Sequence, residues 1–127
     1  MAKMESGNID NLPDNERFEY LIRKIVQNRE VWLLHAIDGL YAMFEDENEN
    51  QYIPVWPEKE FADSHAIGDW DGYTADSMGL GEFIEWLQEL KNDEIYIGAF
   101  PNSNMRAISA DPIDLRKRLV QASGRGK

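Results

Sequence analysis

The sequence predicts an α+β fold: a single domain in which a largely antiparallel β-sheet has about four helices packed on it. Three observations carry this reading. Apolar residues recur at helical spacing near residues 18–26, 80–90 and 115–122, with a short fourth helix signalled after Pro57. Short β-prone runs lie between these stripes, and hairpin signals outnumber crossovers. No repeat or linker interrupts residues 14–122, and a chain of 127 residues is one domain's worth, long enough to bury roughly two-thirds of its unfolded surface.

Each element has a local reason. Residues 1–13 are polar and aperiodic and read as a flexible N-terminal arm. Asp14 or Asn15 can cap a helix to about Asn28, whose inner stripe is Phe18, Leu21, Ile22, Ile25 and Val26. Val31 to Ile37 and Leu40 to Phe44 are β-prone, and Asp38-Gly39 between them suits a type I′ hairpin turn. Residues 45–51 (EDENENQ) form a polar loop. Tyr52, Ile53, Val55 and Trp56 make a third strand. Pro54 lacks a donor, so it belongs at an edge or with its missing donor turned outward.

Pro57 suits the first position of a short helix to about His65, with Phe61 and Ala62 inward. Gly68 to Gly72 is turn material, and Tyr73 to Met78 a brief extended segment. Leu80, Phe83, Ile84, Leu87 and Leu90 form the next helical stripe, with Glu82, Glu85 and Glu89 opposite. Glu94 to Phe100 alternates as a strand, Pro101 to Asn104 turns it, and Met105 to Ser109 returns. Asp111-Pro112 is an N-cap acid followed by a helix-starting proline, and Leu115, Leu119 and Ala122 face inward on the last helix. Residues 123–127 form a frayed basic tail.

Charge is unevenly spread along the chain. The net charge is −11. Residues 30–94 hold seventeen acids against only Lys59 and Lys91, a block of −15, whereas residues 95–127 sum to +4. Such a block repels phosphate backbones, and the basic end (Arg116, Lys117, Arg118, Arg125, Lys127) does not offset it, so no nucleic-acid partner is expected. The same acids suit a basic protein partner, with Glu45, Asp46, Glu47 and Glu49 as the expected face. No apolar stretch reaches the ~20 residues of a membrane helix, so no membrane partner is expected. Met1 to Leu12 has no signal-peptide core, and a cytoplasmic protein is expected.

Few residues offer chemistry. The absence of cysteine excludes disulfides, thiolate metal sites and a thiol nucleophile. His35 and His65 are thirty residues apart with no zinc spacing and read as structural histidines. Residues 46–57 superficially match a calcium loop, but Gln51 stands where glycine is required and Pro57 where a bidentate Glu is required. No metal and no cofactor are therefore expected. Asp69, Asp71 and Asp76 lie close in sequence around Trp70 and Tyr73, the arrangement from which paired carboxylates draw acid–base work. No phosphate loop or nucleophile elbow occurs, and Ser64-His65 is not spaced as a nucleophile–base pair. The aromatic residues Trp32, Trp56, Trp70, Tyr73 and Trp86 fill a core or line a ligand groove.

Five motifs in order resemble those of the DUF2750 family: Val31-Trp32, Pro54-Val55-Trp56-Pro57, Trp70 to Tyr73, Phe83 to Leu87 and Phe100-Pro101. The interval between Phe83 and Trp86 is one residue shorter than the family pattern. The resemblance spans about residues 15–120. It implies a small bacterial α+β domain, cytoplasmic and of unknown function, and it carries over no activity and no catalytic residue. Three functional readings follow, in order. The first is a non-enzymatic protein-interaction module. The second is a small-ligand-binding domain with a Trp-lined groove. The third is an enzyme using Asp69, Asp71, Asp76 or His35.

Overall fold

The fold is that of a computed structural model, which describes residues 9–124. The elements from Asp14 onward follow the expected order. They are α1 (Asp14–Asn28), β1 (Glu30–His35), β2 (Phe44–Glu45), β3 (Gln51–Val55) and α2 (Lys59–Ser64). A 3-10 turn (Gly68–Trp70), β4 (Thr74–Gly79), α3 (Leu80–Asn92), β5 (Ile95–Ala99), β6 (Ile108–Ala110) and α4 (Pro112–Ala122) complete it. The described residues form a single α+β domain with four helices and two sheets.

The four-stranded sheet runs β2-β3-β5-β6, and β1 pairs with β4 in a separate two-stranded sheet. Every ladder is antiparallel except β3 with β5, whose parallel pairing follows from the long crossover through α2, β4 and α3. The two sheets are joined at one point. Trp32 and Trp56 exchange both backbone hydrogen bonds at 2.9 Å. Pro54 therefore lies in an inner strand rather than at an edge. Its backbone faces the same side as those of Tyr52 and Trp56. On that side β2 stops pairing at Tyr52 and β1 begins at Trp56, so the missing donor falls in the gap.

Four local expectations are corrected. The 38–39 turn is not type I′, because Asp38 does not take a positive φ; only Gly39 does, at +89°. Asp38 instead accepts the Leu40 N–H through its carboxylate. The full hairpin of 31–37 with 40–44 does not form either. β1 takes β4 as its ladder partner, and what remains of the hairpin is the His35–Tyr41 bridge with the Ala42 N–H on the Leu34 carbonyl and the Ala36 N–H on the Leu40 carbonyl. At α1 the N-cap position is Pro13, and Asp14 is drawn into an ion pair with Arg106 rather than capping. Pro57 precedes the N-cap Glu58 instead of opening α2, because the bridge to Trp32 keeps Trp56 extended. Asp111 caps α4 as expected, accepting from the N–H groups of Ile113 and Asp114.

The core lies between the sheets and helices α1, α3 and α4. Leu21, Ile25, Val31, Leu34, Val55, Trp56, Phe83, Leu87, Ile97, Phe100 and Leu119 are all but sealed from solvent. The arm expected over 1–13 lies partly outside the described residues, but from Ile9 onward it is packed: Ile9 is buried in the core and Asp10 binds Ser103. Of the tail expected over 123–127, only Ser123 and Gly124 are described.

Candidate functional site

The residues singled out in the sequence do not converge. Trp56 and Trp70 are core residues, meeting edge-on at 6.3 Å. Trp32 is half-buried and donates its ring N–H to Glu30, while Trp86 packs on Tyr41 at 5.1 Å. Tyr73 is half-buried beside the Trp70 turn. The Trp-lined groove is therefore not formed, because sheet and helix packing consumes two of its rings. Asp69 and Asp71 are exposed, and Asp76 reaches His35 at 3.6 Å while remaining 64% exposed, so these groups share no cleft. Ser64 and His65 come within 3.4 Å, but both turn to the Phe61 carbonyl, at 2.8 and 2.9 Å.

The acidic loop divides in two. Glu45, Glu47 and Glu49 are exposed. Asp46 turns inward and accepts from the Asn48 and Asn50 N–H groups, the Asn50 side chain and the Tyr52 hydroxyl at 2.9–3.1 Å. Partial desolvation opposes ionisation of Asp46, but these donors together outweigh it and hold its carboxyl below the usual range. Asp46 thus ties the loop rather than presenting charge to a partner. Among the described residues no cluster of three or more His, Asp or Glu could hold a metal ion, and no helix is long and apolar enough to cross a membrane.

Two regions the sequence reading did not single out are distinctive. The first is the loop from Phe100 to Arg106. Phe100 and Met105 take positive φ angles of 45° and 60° without being glycine, a conformation that needs outside support. Arg17, only 1% exposed, supplies it by donating to the carbonyls of Phe100, Leu12 and Arg106 at 2.9–3.1 Å. The Trp56 indole donates to the Pro101 carbonyl, and buried His65 places Nε2 at 2.9 Å from the Asn102 carbonyl. A cavity of about 330 Å³ opens beside this loop, lined by Phe44, Asp46, Tyr52, Met105, Arg106 and Ser109 among others. Phe44 stacks on Tyr52 within it, at 5.1 Å and 10°. The Ser109 hydroxyl lowers the Tyr52 pKa, but burial and the Asp46 carboxylate together raise it. The signal for Arg17 was present: it lies four residues before Leu21 and eight before Ile25, on the core stripe of α1.

The second region is the turn after β1. Ile37 is 102% exposed and Leu40 69%, although turns are normally polar. Tyr41, the residue after Leu40, packs on Trp86. The neighbouring elements carry exposed acids: Asp38 in the turn, Asp76 on β4, and Glu82, Glu85 and Glu89 on α3. Burial raises the Tyr41 pKa first, and the charges of Glu82 and Asp76 raise it further; Asp76 lies 3.6 Å from His35, whose ring meets Tyr41 edge-on at 6.5 Å.

Residues 18–119 match the family model DUF2750, described as a protein of unknown function. No curated protein and no solved structure matches the chain.

Proposed function

The chain belongs to the DUF2750 family, whose description assigns no activity, and on that premise we propose that it is a non-enzymatic protein-interaction module whose acidic surface takes a basic protein partner. One observation carries the reading: the acids of residues 30–94 are spread over the surface with almost no counter-charge. Both bases of that block are engaged, Lys59 with Asp63 and Lys91 with Asp111. Acids on α3, in the 45–49 loop and around the 3-10 turn are exposed. Such a field steers a cationic surface into encounter and repels anionic ones. The groups an enzyme would draw on are dispersed or committed to backbone carbonyls, which supports a role without catalysis.

The test is affinity capture at low salt, with each captured protein purified and titrated back. The expected result is a saturable complex with a basic protein that weakens at least about tenfold towards 0.15 M salt. Failure to obtain any saturable complex overturns the reading. A second reading, a small-ligand-binding domain, is favoured by the cavity at Tyr52 rather than by the Trp residues. Saturable quenching of tyrosine emission by a metabolite, abolished in Tyr52→Phe, would select it.

A further inference from the structure

We infer that the turn Ala36–Leu40, with the adjoining Tyr41 and its contact Trp86, is the docking surface, and that its occupant is a basic amphipathic protein segment with apolar residues on one face and Lys or Arg at its borders. This rests on the interaction reading above and names its site and the chemistry of its partner.

A lone exposed apolar side chain needs no explanation. Here two large apolar side chains, Ile37 and Leu40, are exposed in one short turn. Leu40 adjoins Tyr41, whose ring meets Trp86 at 5.1 Å, and Ile37 projects at the tip of the same turn. The turn is also fixed. The Ala36 N–H binds the Leu40 carbonyl and the Gly39 N–H the Ala36 carbonyl, both at 2.8 Å, and Asp38 holds the Leu40 N–H. Ile37 and Leu40 are thus presented in a set geometry, which lowers the ordering cost of docking.

The rim decides the occupant. Glu82 and Glu89 lie four residues before and three after Trp86 on α3, so they flank its ring along the helix. Asp76 and Asp38 add charge from β4 and from the turn. Lysine or arginine at the edge of an incoming segment meets these carboxylates and also the faces of Tyr41 and Trp86, which favour cations. A second copy of the chain would bring two such rims together at a net charge of −11 each, and an anionic membrane is repelled in the same way. A basic strand or helix carrying its own apolar face satisfies both the tip and the rim.

The experiment uses the full chain and two peptides of about 18 residues, roughly five helical turns. One carries Leu and Lys at amphipathic spacing, and the other has the same lysines with Ser in place of Leu. Binding is read by calorimetry near 0.15 M salt, on the parent, on Ile37→Ser/Leu40→Ser, and on Glu45→Gln/Glu47→Gln/Glu49→Gln. The expected result is that the Leu–Lys peptide binds the parent and loses about tenfold or more on the tip variant, while the loop variant, which thins the general acidic field but leaves the turn intact, loses distinctly less. If both peptides bind equally and the tip variant is unaffected, the docking site is overturned while the broader acidic reading stands. If neither peptide binds even at low salt, both fall. A concentration-dependent dimer of the parent that is lost in the tip variant would assign the surface to a second copy and overturn the inference.

Discussion

The loop Phe100–Arg106 and the turn Ala36–Leu40 are both short and both depart from ordinary loop chemistry, in opposite directions. The first has its own bonds around Asn102 and is held from a distance as well. Three buried side chains, Arg17, Trp56 and His65, reach its carbonyls from α1, the end of β3 and the end of α2. The second is held by its own backbone and by Asp38, and turns its apolar side chains outward. Buried polar groups are tolerated only when satisfied, so the first loop is bound up with the stability of the whole domain. The second is nearly independent of that stability and free to carry a contact. Sequence change at one should register as unfolding, and at the other as altered binding.

Removing a support of the first loop should have the largest effect on stability. Trp56→Ala deletes a fully buried ring, its contact with Trp70 and its bond to Pro101, and should cost about 3–5 kcal/mol in urea unfolding. A parent-like melting temperature would place Trp56 outside the core. Arg17→Met keeps apolar bulk but leaves the carbonyls of Phe100 and Leu12 without this donor and Arg106 with only the Asn102 N–H, and should cost roughly 3 kcal/mol. A loss under about 1 kcal/mol would mean that water replaces the guanidinium and that the loop is not held from α1.

These two residues also show how far the sequence could be read. Element order was legible because periodicity is local, and the α4 cap because Asp111 and Pro112 are adjacent. Ladder partners were not. Val31 pairs with Met78, far along the chain, and nothing in VWLL specifies that choice. The acidic loop was legible as a loop, but the inward turn of Asp46 depends on Tyr52 across β2 and β3. Arg17 sat on a readable stripe, yet two of its acceptors, the Phe100 and Arg106 carbonyls, lie 83 and 89 residues away, which no pattern in side-chain types encodes. Ile37 and Leu40 carried β propensity, and the register of β1 with β4 is what left them outside.

A smaller effect sharpens the view of the cavity. Gly98 lies under the Phe44 ring, and a Cβ there would come within 2.6 Å of Phe44 Cζ. Gly98→Ala should cost about 1–2 kcal/mol by pushing Phe44 off its stack on Tyr52. Phe44→Leu should relieve part of that cost, so the double variant should be less unstable than the two single losses predict. Strict additivity would mean that the sheet, not the ring, absorbs the strain. A further effect is confined to alkaline pH. Burial first, and then Glu58, push the Tyr20 pKa up to about 12 from 10.0. The folded state therefore favours neutral tyrosine. Its contribution is fully present below pH 10 and is lost as pH rises through about 12. Tyr20→Phe should flatten stability across that window, and an unchanged alkaline limb would show that Tyr20 does not govern it.

The smallest expected effect is the one that most sharply separates the two regions. Ile37→Ser and Leu40→Ser change side chains that make little contact with the core, and they leave intact the Ala36–Leu40 and Ala36–Gly39 backbone bonds and the Asp38 cap. Because both side chains are already largely in water, removing them gives up little burial. Each single change should alter unfolding free energy by less than about 0.5 kcal/mol. Stability unchanged alongside lost peptide binding would establish that the turn is kept apolar for contact. A loss above about 1 kcal/mol in either variant would show that the turn packs on the domain more closely than its exposure indicates. The contrast with the Arg17-supported loop would then fail, since both regions would be serving stability.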